Sequence, residues 1–166
     1  MPSFVSDAGF EHAVILAAGQ STRLRPLIRD LPKALLTVDG QTPLLVRSVN
    51  ALKDRGVERV TVVVGYQHDQ IMDLLGDAVS YVVNPFFAHC NNLGSLWFAR
   101  SAVGNGDFVY LHGDLIFDPE LLDDVLATAT KPTISLVVDF GATDAEAMKI
   151  RVDGDQAVQL GKDLSS

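Results

Sequence analysis

Hydrophobic positions in this chain come in short runs, and two spacings alternate along its length. HAVILA (His12–Ala17), RVTVVV (Arg59–Val64), SYVV (Ser80–Val83), DFVYL (Asp107–Leu111) and TISLVV (Thr133–Val138) are near-continuous apolar runs rich in β-branched residues. Several stop at turn-forming residues such as Gly65, Asn84-Pro85 or Gly113. Runs of this length and composition predict buried strands. Ala34 to Val38 reads as a further short strand or extended segment. Between these runs the apolar spacing becomes helical. Leu44, Leu45, Val49 and Leu52 follow a start signal at Thr42-Pro43 and precede a stop at Gly56. Further helices are predicted over His68–Leu75, over Leu93–Val103 and from an Asp118-Pro119 cap to Thr128. MKIRVDGDQAVQL alternates apolar and polar residues around Asp153-Gly154 and predicts a β-hairpin.

Alternating strands and helices predict an α/β fold: a three-layer sandwich with a mixed, mostly parallel sheet covered on both faces. In such sheets ligands bind beyond the carboxyl ends of the strands. That rule directs attention to Ala17–Arg25, Gly65-Tyr66, Asn84–Ser95 and Gly113-Asp114. The 166 residues suit a single domain, residues 1–166.

Composition narrows the ligand. Thirteen basic and 21 acidic residues give a net charge of −8, so a general nucleic-acid or membrane-surface binder is not expected. Against that acidic background the cluster Arg23, Arg25, Arg29 and Lys33, just past the first strand, points to a small anion. The only cysteine, Cys90, allows no internal disulfide and no cysteine-based zinc site, which fits a reducing cytoplasm. MPSFVSDAGFEH lacks the basic and apolar regions of a secretory signal, and no apolar run reaches membrane-span length.

In the basic loop itself, Ala17, Ala18 and Gly19 are small enough for a ligand to approach the backbone. Amide groups turning off a strand can cradle phosphate, and Arg23 and Lys33 can neutralise it. Neither G-x-x-x-x-G-K-[ST] nor G-x-G-x-x-G occurs there. On composition alone, an ordinary solvated loop with surface arginines is an equal alternative.

LAAGQSTRLRP followed by LPKALL resembles the signature of the nucleotidyltransferases that activate sugar phosphates and related phosphoesters. Leu16, Ala17, Ala18, Gly19, Thr22, Arg23, Leu24, Pro26, Pro32 and Lys33 match it, while Ser21 stands where a second glycine is usual. The resemblance implies a Rossmann-like nucleotidyltransferase fold. Its loop would wrap a triphosphate through Leu16, Ala17, Ala18 and Gly19, with Gly65 a further nucleotide-binding position. It makes Arg23 and Lys33 the catalytic cations, Arg23 on the β and γ phosphates and Lys33 beside the α phosphate. Asp114, in LHGDLIFD, would hold Mg²⁺; Asp118, before Pro119, reads as a helix cap. NNLGSL is similar to the corresponding stretch of bacterial choline-phosphate cytidylyltransferases and of inositol-phosphate and phosphonate cytidylyltransferases. There Asn92 and Ser95 would read the base, the plainer alternative being that Asn92 caps a helix. Trp97 and Phe98 are expected in the core rather than in a ligand cage. His89, Cys90 and His112 carry no spacing that supports a cysteine nucleophile.

The implied activity is transfer of a nucleoside monophosphate, preferably CMP from CTP, onto a small phosphate or phosphonate such as phosphocholine, with release of pyrophosphate. The alternatives are a sugar-1-phosphate nucleotidyltransferase using UTP, GTP or dTTP, and a nucleotide-binding module without turnover. Expected partners are a nucleoside triphosphate and a small phosphorylated acceptor, with no nucleic acid and no membrane; a homo-oligomer is compatible with the chain. In the resembling family a longer C-terminal segment carries a second metal-binding aspartate. None of Asp139, Asp163 or GKDLSS matches it, so the expectation is a chain lacking that segment, with weakened nucleotide binding and very low turnover.

Overall fold

A strand that is apolar at every position has to be covered on both sides, and β1 (His12–Ala17) is buried throughout. In a computed structural model, which describes residues 10–22, 24–28, 30–128, 134–141 and 147–164, β1 lies between two parallel neighbours. The sheet order is β3-β2-β1-β4, with β2 Arg59–Val64, β3 Ser80–Val83 and β4 Val109–His112. All three pairings are parallel. The expected antiparallel component is a separate two-stranded sheet, β5 Lys149–Asp153 with β6 Gln156–Gly161. Gly154 turns that hairpin at φ +58°. The described residues fall into two compact units, residues 1–130 and residues 131–166.

The first helix, α1 (Arg25–Ile28), is a short turn in the loop after β1. Alternate side chains of β1 feed two cores. Ala13, Ile15 and Ala17 pack with Leu45, Val49 and Leu52 of α2 (Leu44–Lys53), Ile71 and Leu75 of α3 (His68–Leu75), and Leu122 and Leu126 of α6 (Leu121–Thr128). Val14 and Leu16 pack on the other face with Ala99, Leu96 and Val103. These belong to or adjoin α4 (Asn92–Phe98) and α5 (Arg100–Val103), the third layer. The three-layer α/β sandwich is therefore the fold of the first unit. Arg55, just past α2, holds Asp123 of α6 through Nε–Oδ1 at 2.6 Å and Nη2–Oδ2 at 3.1 Å. Among the described residues no helix is long and apolar enough to cross a membrane.

Five local expectations change. Ala34–Val38 is no strand: Lys33–Leu35 is a 3-10 turn, and only Thr37 forms a bridge, to Pro43. A short apolar run does not distinguish a strand from a buried turn by spacing. Thr42 does not cap α2. Pro43 occupies the cap position without a side-chain bond, and Asp39 Oδ1 takes the N–H groups of Gln41 and Thr42, each at 2.9 Å. Those bonds, that from Thr42 foremost, hold the Asp39 carboxyl below its ordinary range. The α6 helix begins at Leu121, whose N–H donates to the Asp118 carbonyl at 3.0 Å, so Asp118 opens a turn before it. The helix expected over Leu93–Val103 is interrupted at Ala99, fully buried at φ −79°, ψ −6°. Finally, residues 134–140 form no strand, and Ile134 and Phe140 are 90% and 86% exposed. Thr133 lies outside the described residues. Apolar, β-branched composition does not make a strand where no neighbour pairs with its backbone.

His12 opens β1 at the amino ends of the strands. Its Nε2 lies 2.8 Å from Thr61 Oγ1, while Nδ1 is buried without a partner among the described residues. Burial, with a further contribution from Arg59, lowers its pKa from the ordinary 6.5. The fold thus favours neutral His12. Its contribution is complete above about 6.5 and is lost as pH falls below that value toward the depressed folded pKa. Thermal melts from pH 7.5 to 5.5 should show a falling midpoint in the natural chain and a smaller fall in His12→Gln. Equal falls in both would show that another group governs acid sensitivity.

Candidate functional site

The first loop leaves β1 where β4 also ends. Leu16 pairs with His112 in register, and the Gly113 N–H donates to the Leu16 carbonyl at 2.8 Å. A Cβ on Gly113 would come within 3.1 Å of both Leu16 O and Ala17 Cβ, so glycine allows β4 to end against β1. The next residue, Asp114, is thereby delivered to the mouth of a cleft of about 650 Å³.

One wall of the cleft is the loop: Leu16, Ala17, Ala18, Gly19, Ser21, Thr22 and Leu24. A Cβ on Gly19 would meet nothing within 4 Å, so its missing side chain leaves open space in the cleft. Ser21 takes φ +53°, the left-handed conformation that a glycine adopts freely, and its carbonyl accepts the Leu24 N–H at 2.9 Å. The serine in place of the usual glycine therefore keeps the glycine backbone. The outer end of the loop is tied to the β2–α3 turn. Gln70 Nε2 donates to the Asp30 carbonyl at 3.0 Å, and the Tyr66 N–H donates to the Ala18 carbonyl at 3.2 Å. Arg23 and Arg29 lie outside the described residues; Thr22 and Leu24, on either side of Arg23, both line the cleft.

Lys33 reaches across from the 3-10 turn, which buried Ala34 anchors in the core. Its Nζ donates to Asp114 Oδ2 at 2.6 Å, with the side chains 42% and 35% exposed. A pair this open contributes only about 0–1 kcal/mol to stability. Its significance is positional, because residues 81 apart in sequence meet at one point. Asp114 is the only acidic side chain lining the cleft among the described residues, which contain no cluster of three His, Cys, Asp or Glu suited to a metal. Next to it, His112 lines the cleft with Nε2 3.1 Å from the Tyr110 hydroxyl. Burial, then the Asp114 charge, pushes the Tyr110 phenol up.

The opposite wall carries Phe87, Cys90, Asn92 and Ser95. Behind it lies Asn84, fully buried just past β3. Asn84 Nδ2 donates to Ser95 Oγ and to Cys90 Sγ, both at 3.0 Å. Asn91, rather than Asn92, caps α4, accepting the Gly94 N–H at 3.0 Å. Asn92 is thus left to face the cleft beside Ser95. Gly65 is not on the cleft surface. A Cβ there would fall 2.6 Å from Phe87 Cβ and 2.8 Å from the Ala18 carbonyl, so it acts one layer back, making room for the Phe87 wall. Cys90 pairs with Asn84 and Ser95, not with an imidazole. Trp97 departs from its expected place in the core: it is 64% exposed, with the Arg100 guanidinium 4.6 Å above its ring.

Leu16, Ala17, Ala18, Gly19, Lys33, Asn92, Ser95 and Asp114 thus share one cleft. Sequence reasoning did not single out Phe87, Cys90 or His112 as cleft residues, nor Asn84 behind the wall. The signal for Asn84 was present, a polar residue ending an apolar strand immediately before proline.

The chain is similar to several known proteins. The chain is 37% identical over 117 residues to the 2-aminoethylphosphonate cytidylyltransferase of Lancefieldella rimae, covering 69% of this chain and 47% of that one. It is 40% identical over 116 residues to the UTP–glucose-1-phosphate uridylyltransferase of Haloferax volcanii, covering 68% and 47%. The chain therefore spans about half the length of these relatives. Among solved structures, the CTP:phosphocholine cytidylyltransferase of Streptococcus pneumoniae matches with a TM-score of 0.56 and 36% identity, over 62% of this chain and 44% of that one. The model of the MobA-like NTP transferase domain matches residues 13–148, and the chain belongs to that family.

Proposed function

We propose that this chain is a nucleotidyltransferase that moves CMP from CTP onto a small phosphate or phosphonate, such as phosphocholine or an aminoalkylphosphonate, and releases pyrophosphate. The observation that carries the reading is the 2.6 Å pairing of Lys33 with Asp114 at the mouth of a cleft walled by a glycine-containing loop. A lysine is a point charge suited to phosphate, and a single carboxylate beside phosphate oxygens suits Mg²⁺, which seldom uses an all-protein cage. Asp114 would hold that ion together with the nucleotide, and the ion would supply neutralisation of phosphate charge.

The chain's own groups then divide the work. Gly19 leaves space for the triphosphate beside the backbone. Arg23, by its place in the motif, takes the β and γ phosphates and steadies the departing pyrophosphate. Lys33 exchanges Asp114 for the α phosphate, where the acceptor oxygen attacks in line. Positioning and charge stabilisation are most of what phosphoryl chemistry asks of a protein. Asn92 and Ser95 face the base, and both the phosphonate relative and the phosphocholine structure are named cytidylyltransferases. The 40% identical uridylyltransferase favours a second reading, a sugar-1-phosphate acceptor with UTP.

Pyrophosphate release with Mg²⁺, CTP and candidate acceptors tests the activity. Lys33→Ala, Asp114→Asn and Arg23→Ala should each lower the rate by about 100-fold or more, in line with the loss of one preorganised charge-stabilising group. The thermal midpoint of Lys33→Ala and Asp114→Asn should stay close to the natural chain's, because an exposed pair adds little stability. Full activity in any of the three at saturating nucleotide would remove that residue from the mechanism.

Gly19→Val should melt like the natural chain, since its side chain enters empty space, yet bind nucleotide at least about tenfold more weakly. Unaltered nucleotide affinity would show that the triphosphate does not lie against Gly19.

In titration calorimetry CTP should bind about tenfold more tightly than UTP, as one mismatched buried hydrogen bond costs about 1–3 kcal/mol. A UTP preference, with turnover of a sugar 1-phosphate, would establish the second reading instead.

A further inference from the structure

We infer that Asn84 is a positioning residue for base selection: it fixes the Ser95 hydroxyl as a hydrogen-bond donor toward the cleft, facing N3 of the cytosine ring. The inference rests on the cytidylyl reading and adds a residue that does not line the cleft.

The orientation of the Asn84 amide is determined by its surroundings. Its side chain is fully buried, and its backbone N–H donates to the Val64 carbonyl at 2.8 Å, which fixes it against β2. The Phe86 N–H donates to Asn84 Oδ1 at 2.8 Å. A backbone N–H cannot accept, so the oxygen must lie on that side and the NH₂ on the other. The two amide hydrogens then go to Cys90 Sγ and Ser95 Oγ, each at 3.0 Å.

Ser95 Oγ therefore accepts from Asn84 and keeps one hydrogen of its own. Among the described residues its other hydrogen-bond contact is Cys90 Sγ at 3.9 Å, a weak acceptor already receiving an Asn84 hydrogen. Ser95 lines the cleft, so a ligand bound there can supply a stronger acceptor for its hydrogen. Cytosine N3 is a bare acceptor, whereas uracil N3 carries a hydrogen. A hydroxyl held in the donor sense complements the first and opposes the second. Aspartate at position 84 would reverse the arrangement: with no hydrogens to give, it would take the hydroxyl hydrogen itself and leave Ser95 presenting lone pairs to the cleft.

Calorimetric titration of CTP and UTP, with Mg²⁺, into the natural chain, Asn84→Asp and Ser95→Ala tests this. The expected CTP preference of about tenfold in the natural chain should disappear or invert in Asn84→Asp, with UTP affinity maintained or improved. Ser95→Ala should bring the two affinities to within about threefold of each other, because the discriminating group is gone. A purely structural role would weaken both nucleotides alike and keep their ratio, and that result in Asn84→Asp overturns the inference. If Asn84→Asp does not fold, Asn84→Ala, which lets the hydroxyl rotate, takes its place with the same expected loss of preference. An unchanged ratio in Asn84→Ala or in Ser95→Ala likewise overturns it. A natural chain without CTP preference overturns the cytidylyl reading and this inference together. A CTP preference that survives the Asn84 substitutions overturns this inference alone.

Discussion

The burial of β1 on both faces is the constraint on which the rest of the first unit depends. A strand with helices above and below and a parallel partner on each side leaves its sheet only through an end. Parallel pairing puts the carboxyl ends of β1 and β4 on the same edge, and the register that sets Leu16 opposite His112 sets the first loop opposite Asp114. That register places Asp114 beside the first loop, and the turn anchored by buried Ala34 brings Lys33 to it. The close approach at Gly113 is part of the same geometry, because a side chain there would push the end of β4 away from Leu16 and Ala17. Site geometry in this fold is thus a consequence of strand pairing, and the loops supply only the chemistry.

The two walls of the cleft solve different problems. The loop wall leaves space at Gly19 and holds Ser21 in a left-handed conformation. The α4 wall is instead organised by a buried polar residue whose hydrogen bonds are all assigned. Burying an amide is costly unless every polar group finds a partner. Asn84 meets that condition with Phe86, Cys90 and Ser95, which lie on the segment that forms the wall. One residue at the end of β3 therefore ties the chain after the strand to the first turn of α4. The two walls are ordered by different devices, one by backbone conformation and the other by a buried hydrogen-bond set.

Much of this was legible in the sequence because the strongest signals were burial signals. HAVILA and RVTVVV are apolar at nearly every position since both of their faces are covered, and the rule that ligands lie beyond strand carboxyl ends then located the cleft. Lys33, Asp114, Asn92 and Ser95 followed from chemistry at those ends and from the resemblance of LAAGQSTRLRP. What sequence could not supply was partnership. Whether Ala34–Val38 or residues 134–140 become strands depends on a neighbouring backbone edge, which no local pattern encodes. Pro43, not Thr42, stands at the cap position of α2, and the Thr42 N–H goes to Asp39. Gly65 was placed with the ligand-facing residues, yet it serves Phe87, since a glycine required by a neighbouring side chain has the same sequence appearance as one required by a ligand. Trp97 was expected inside because it is large and apolar; the Arg100 guanidinium over its ring gives an exposed position a partner that hydrophobicity does not anticipate.

The exposure of the Lys33–Asp114 pair also bears on how such a site works. Were these charges buried, the fold would depend on their contact, and separating them would leave an uncompensated charge at a cost of several kcal/mol. Both side chains are instead well over a quarter exposed, so water compensates each of them when they part. Their positions come from elsewhere: buried Ala34 anchors the turn that carries Lys33, and the docking of Gly113 on Leu16 places Asp114. The backbone holds the two groups at the cleft while the bond between them remains cheap to exchange. On the proposed function, a ligand phosphate would take over Lys33 without disturbing the sheet, and the rearrangement would be confined to side-chain ends. Preorganisation of this kind separates the energy that maintains the fold from the energy available for binding a ligand in the cleft.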